Sequence, residues 1–219
     1  MKIYISADME GCTGVTDVHQ TMNGRPEYAF GCRMELHDVR AAAEGALEAG
    51  ADEVLVNDAH GRKINVDING LDHRIRLLSG TPKPLGMMEG CSGSDGVFFI
   101  GYHAMAGTPV AVLDHTISGG TVYSVELNGV EMGELGLNAA VASSFGLQLI
   151  PSTVAAVRAQ LGAAPVYARV KVAKGRLAAD CLSPADSYGY IKAKAKEAVE
   201  RLKARQIPLF DIGDGSYDL

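Results

Sequence analysis

Three apolar runs in the first half of the chain each end on a carboxylate or an imidazole with a small residue close behind. They end at Asp8 and Glu10 before Gly11, at Asp58 and His60 before Gly61, and at His103 before Ala104. Side chains two apart on an extended chain share a face, so Asp8 with Glu10, and Asp58 with His60, can point the same way. Carboxylate and imidazole without thiolate make a donor set suited to zinc or a similar divalent ion. A carboxylate placed to bridge, such as Asp8, would let two ions sit ~3.5–4 Å apart, the spacing of two-metal hydrolases. An acid just past a strand also caps the next helix, and for any one position taken alone both explanations stand. The recurrence at three strand ends is what argues for a metal site.

Asp114-His115-Thr116 precedes a glycine-rich turn, Ser118-Gly119-Gly120, whose backbone amides could face an oxyanion. His115 is either a hydrogen-bonded loop residue or, beside a metal pair, an acid–base group. Glu134 opens a helix, where acids favour the first turn, and Glu89 reads as a loop carboxylate. His19, His37 and His73 read as solvated or structural. All six histidines lie at or before position 115, so imidazole chemistry belongs to the N-terminal half.

These positions need a sheet to bring them together. Ile3–Ala7, Glu53–Asn57, Arg74–Leu78 and Gly96–Tyr102 read as strands, and Tyr28–Ala49 as a long helix stopped by Gly50. Strand, helix, strand is the signature of a parallel sheet, whose carboxyl ends line one edge where ligands bind. Val122–Leu127 and Val130–Met132 flank Asn128-Gly129, a type I′ hairpin signal, and a helix follows from Glu134 through Ala142. Leu147–Ile150 and Val166–Val172 read as further strands, and Ser183-Pro184 starts a helix running to about Arg205. The expected architecture is α/β: a mostly parallel sheet flanked by helices, with a smaller, shortened C-terminal α/β portion. Its soft boundary divides residues 1–150 from 151–219.

The length fits one to one-and-a-half domains, and the composition, 47% apolar and 21% charged, is that of an ordinary globular protein. With 26 acidic against 20 basic side chains, a nucleic-acid partner is not expected. No apolar run is long enough to span a bilayer, and no leader is evident at the N-terminus. Cys12, Cys32, Cys91 and Cys181 lack CxxC spacing and suit reduced thiols in the cytoplasm.

Ser6-Ala7-Asp8-Met9-Glu10-Gly11 resembles the S-x-D-x-E-G signature of the zinc-dependent D-aminopeptidases of peptidase family M55, the DppA type. Val56-Asn57-Asp58-Ala59-His60, Gly101-Tyr102-His103-Ala104, Asp114-His115-Thr116 and Asn128-Gly129 through Asn138 resemble the same family in the same order. Together they span residues 1 to about 145, and Cys181-Leu182-Ser183-Pro184 adds a later match. The resemblance implies two Zn²⁺ per subunit held by Asp8, Glu10, His60, His103 and Glu134, with His115 as the catalytic residue, whether acid–base or nucleophile. It further implies removal of N-terminal D-residues from short peptides such as D-Ala-D-Ala, a cytoplasmic location, and a homo-oligomer, in the family a decamer. The chain departs from the family pattern at Leu149-Ile150-Pro151-Ser152-Thr153 and ends early, at Ile207-Pro208-Leu209-Phe210-Asp211 and a polar tail. Two other readings remain open at this level. One is a dinuclear metallohydrolase of another amide or ester. The other is a degenerate, non-catalytic member acting in assembly or binding.

Overall fold

The computed structural model describes residues 1–151, 166–207 and 210. The expectations placed on Ser152-Thr153 and on the tail from Asp211 lie outside the described residues.

Five strands, β1 (Lys2–Ala7), β2 (Glu53–Asp58), β3 (Ile75–Leu78), β4 (Gly96–Ile100) and β7 (Gln148–Pro151), form a sheet in the order β3-β2-β1-β4-β7. Every pairing in it is parallel. Both faces are covered, as parallel sheets require. Alternation along the strands divides the apolar side chains between two cores. Ile3, Ile5, Val54, Val56, Phe98 and Ile100 meet helix α1 (Tyr28–Glu48) through Val39, Ala42 and Ala46. Tyr4, Leu55, Val97 and Phe99 meet Met88 and helix α2 (Glu134–Ser144) through Leu135 and Ala139.

Register sets the site. Ala7 pairs with Asp58 of β2 on one side and with Ile100 of β4 on the other, so the carboxyl ends of three strands lie level at the sheet centre. The ladder runs one step further on each side, Ala59 N–H donating to Ala7 O and Asp8 N–H to Ile100 O, both at 2.8 Å. Beyond it the turns after β1 and β4 cross in close contact. Gly11 N–H donates to Gly101 O, and a Cβ on Gly101 would fall 1.9 Å from the Asp8 carbonyl oxygen. Gly101 also has φ +72°, so glycine is required there on both counts.

The remaining elements differ in detail from expectation. The Asn128-Gly129 hairpin forms with φ of 52° and 73°, as a type I′ turn needs, but its strands are only β5 (Glu126–Leu127) and β6 (Val130–Glu131). Val166–Val172 is not one strand. Val166, Ala168 and Val170 are buried in the α1 core, and ladder pairing begins only at β8 (Lys171–Gly175), antiparallel to β9 (Ala178–Cys181). Burial of every second residue imitates a strand without any ladder partner.

The last helix, α3 (Pro184–Lys203), is capped by the Ser183 hydroxyl, which accepts from Asp186 N–H, and starts on Pro184. Its charges suggest a solvated rod. Instead Ile191, Ala195, Ala198, Val199 and Leu202 enter the α1 core, and Lys192 pairs with Glu48 at 2.7 Å. All four cysteines are free thiols. No helix among the described residues is long and apolar enough to cross a membrane.

Candidate active site

Asp8 and Glu10 sit in the turn leaving β1, 3% and 6% exposed. That turn is held from beneath by Lys171 of β8, whose Nζ donates to the carbonyls of Glu10, Cys12 and Val15. His60 follows β2, and His103 follows β4. His115 comes from the loop between β4 and the hairpin, and Glu134 is the first residue of α2. The structure brings all six together. His60 Nδ1 lies 3.2 Å from Asp8 Oδ1 and 3.1 Å from Glu10 Oε2. His103 Nε2 lies 3.6 Å from Asp8 Oδ2 and 3.2 Å from Glu134 Oε1. His115 Nε2 lies 3.7 Å from the same Glu134 oxygen. Thus the two Asp8 oxygens face different histidines, as a bridging carboxylate would.

Each imidazole is oriented by a main-chain carbonyl on its far nitrogen. His60 Nε2 donates to Thr21 O at 2.8 Å, His103 Nδ1 to Ala104 O at 2.9 Å, and His115 Nδ1 to Leu113 O at 2.9 Å. Anchoring one ring nitrogen to a carbonyl turns the other inward, where a bound metal would take it as a ligand. Glu134 is aimed likewise: Ile117 N–H donates to its Oε1 at 2.6 Å, from a left-handed backbone (φ 59°) that a β-branched residue seldom adopts.

Asp8 Oδ2, Glu10 Oε2 and His103 Nε2 are buried without a hydrogen-bond partner. Buried polar atoms are rarely left so, and these three converge. Two groups of three donors each lie within 4.8 Å of one another, Asp8/Glu10/His103 and His103/His115/Glu134. Oxygen and imidazole donors in such sets fit divalent transition metals. His115 therefore stands where it could itself ligate.

The electrostatics show the same demand for cations. Burial, then the adjacent Glu10 carboxylate, push the Asp8 carboxyl up to about 6 against the hydrogen bond from His60. Burial would also raise Glu10, but the adjacent His60, then His103, hold it well below the carboxylate range. Burial would lower His103, yet the Glu134 carboxylate 3.2 Å away and the Asp8 charge raise it to about 10. Three buried carboxylates thus pull protons onto His60 and His103, a role that divalent ions would take over.

Other candidates fall elsewhere. Asp58 turns away, accepting from the backbone N–H groups of Asn65 and Val66 and so fixing the loop beyond His60. Glu89 accepts from Leu85 N–H. His37 bridges Asp38 and the Pro184 carbonyl, while His19 and His73 are at the surface. In the turn after His115, the Ser118, Thr121 and Val122 amides bond within the turn, and the amide that reaches the cluster is that of Ile117.

Sequence reasoning missed the anchoring carbonyls, which leave no residue signature. It also missed Lys171, hidden in an apolar alternation, and Arg176 at the β8–β9 tip. Arg176 holds Asp114 through Nε at 2.9 Å, next to His115.

A cavity of about 510 Å³ opens over Asp8, His60, His115 and Glu134, walled by Met87, Ile117, Leu137 and Asn138 and by Lys63. That is the size range of small-molecule sites.

The family model for peptidase family M55, described as D-aminopeptidase, matches residues 1–213. A D-aminopeptidase of Bacillus subtilis (strain 168) is 32% identical over an alignment covering 99% of this chain and 82% of that protein. The solved structure described as "Zn-dependent D-aminopeptidase DppA from Bacillus subtilis, a self-compartmentalizing protease" superposes with a TM-score of 0.90 at 31% identity, covering 96% of this chain and 77% of that one. With that match running through every strand end described above, the chain belongs to peptidase family M55, the D-aminopeptidases.

Proposed function

We propose that this D-aminopeptidase works with two zinc ions per subunit, held by Asp8, Glu10, His60, His103 and Glu134, and that His115 is its catalytic residue. The observation that carries the reading is the inward convergence of Asp8 Oδ2, Glu10 Oε2 and His103 Nε2, each buried without a hydrogen bond. The description of the Bacillus subtilis neighbour as Zn-dependent supports the choice of metal. Bound there, the ions would polarise a scissile carbonyl and make water nucleophilic near neutral pH.

The chain's own groups do the rest. Leu113 O keeps the His115 proton on Nδ1, which leaves Nε2 as an acceptor facing the cavity. At 3.7 Å from Glu134 that nitrogen is not tied in a hydrogen bond, so it can take a proton from attacking water and return it to the departing amine. Ile117 N–H fixes the Glu134 carboxylate beside it.

Short peptides such as D-Ala-D-Ala are the proposed substrates. A cytoplasmic homo-oligomer, on the family pattern a decamer, is the proposed assembly, in keeping with the neighbour's description as self-compartmentalizing. Residues 151–219 form its smaller C-terminal portion in this reading.

Metal analysis of the purified protein together with a matched panel of D- and L-aminoacyl peptides tests the proposal. About two zinc ions per chain and a strong D preference are expected. Turnover of esters or L-peptides in preference would move the assignment to another dinuclear hydrolase. Absence of bound metal would leave a non-catalytic member.

A further inference from the structure

Two lysines near the site have their ammonium groups fully engaged. Lys83 Nζ donates to Asn57 Oδ1 and to the carbonyls of Asp58 and Leu78, and Lys171 Nζ to three carbonyls of the β1 turn. Lys63 differs. It is the single lysine or arginine on the wall of the cavity over Asp8, His60, His115 and Glu134, and its ammonium has no hydrogen-bond or ion-pair partner among the described residues.

Its main chain is nonetheless firmly placed. Lys63 N–H donates to His60 O at 2.8 Å, and its carbonyl accepts from Gly80 N–H and the Ser79 hydroxyl. Its φ of 61° is in the left-handed region, where a residue with a side chain is held only by such contacts. A long cationic side chain is thus mounted, three residues past His60, on the wall of the cavity that also holds Asp8, His60, His115 and Glu134. Of the other lining residues, Leu85, Met87, Ile117 and Leu137 are apolar, and none is a lysine or arginine.

We infer that Lys63 receives the C-terminal carboxylate of the substrate, which makes the site selective for short peptides with a free C-terminus. The inference rests on the peptidase reading of the site. A dipeptide ends in a carboxylate, and Lys63 is the one lysine or arginine that the cavity wall presents to it. An ammonium–carboxylate pair in a partly desolvated cavity is a strong, charge-assisted contact. It is made in the ground state and the transition state alike, so it acts on KM.

The test compares D-Ala-D-Ala with its C-terminal amide in wild type, Lys63→Met and Lys63→Arg. Wild type is expected to prefer the free acid about tenfold or more in kcat/KM, the worth of one charge-assisted contact. Lys63→Met should erase that preference through KM, and Lys63→Arg should restore most of it. Calorimetric binding of the same two ligands in a His115→Ala background reads the same ratio without turnover. It therefore decides the matter even where no D-peptide is cleaved, which would count against the peptidase reading instead. Equal affinity for acid and amide in wild type, or a preference that survives Lys63→Met, overturns the inference.

Discussion

The rings of His103 and His115 stack with centroids 3.8 Å apart and planes 13° from parallel, and both present Nε2 to one oxygen of Glu134. They differ in exposure: the His103 side chain is 2% accessible and that of His115 is 22%. The deeper ring lies in both donor clusters, whereas the shallower one borders the substrate cavity. His115→Ala should therefore keep metal content near wild type while activity falls by ~10² or more, the range for a lost acid–base group. Metal analysis beside kcat decides it. Activity lost only in proportion to metal would make His115 a ligand.

Asp8 supplies one oxygen to the His60 side and the other to the His103 side. Removing it takes a donor from both halves of the cluster at once. Among single substitutions of the five proposed ligands, Asp8→Ala is expected to lose the most metal. Full retention of both ions in that variant would end the two-metal proposal.

How far the site could be read without coordinates follows from where each residue is mounted. Asp8, His60 and His103 are legible because each ends a buried apolar strand, and parallel pairing brings such ends level. Glu134 arrives from a helix beyond a long loop and a hairpin, so no local spacing connects it to the others, and family resemblance alone pointed to it. Asp58 shows the opposite failure. It has the same strand-end setting as Asp8, yet its carboxylate bonds Asn65 and Val66. Strand alternation places a side chain on a face but does not say which of two acids finds backbone amides within reach. Helix α3 reads as solvated because its lysines and glutamates outnumber the Ile191, Ala195, Val199 and Leu202 stripe that packs on α1.

Glu35 on α1 is fully buried, and neither carboxyl oxygen has a hydrogen-bond partner. Burial first, then the charge of Asp58, raise its carboxyl well above the ordinary range. A carboxyl raised on folding stabilises the protein most below its unfolded pKa, and that contribution is lost as pH climbs toward the folded value. Across that window the folded state holds a proton that the unfolded state has released. Stability then falls by up to about 1.4 kcal/mol per pH unit from this group. Glu35→Gln keeps the shape without the proton. Its stability relative to wild type should rise steadily from pH 5 to pH 8 in denaturant melts of the metal-loaded protein. A constant difference across that range would show that Glu35 is ionised or solvated in the folded state.

Assembly is where exposed apolar side chains point to contact surfaces. Tyr123 is 74% exposed, Val130 53% and Ile117 61%, all on or beside the segment from Val122 to Ala142. Exposed large apolar residues gathered on one stretch mark contact surfaces more often than isolated ones do. By contrast, the outer face of α3 carries Lys194, Glu197 and Arg201, paired with one another. The net charge of −6 opposes close packing of copies, so apolar contacts must outweigh it. A closed ring reuses the same surfaces on every subunit, which makes a single substitution count at each interface. We expect light scattering at micromolar concentration to give an oligomer larger than a dimer. The double variant Tyr123→Glu/Val130→Glu should shift that mass toward a single chain while the circular dichroism of the fold is kept. A wild-type protein with the mass of one chain would rule out this assembly. An oligomer untouched by the double variant would place the interface on another face.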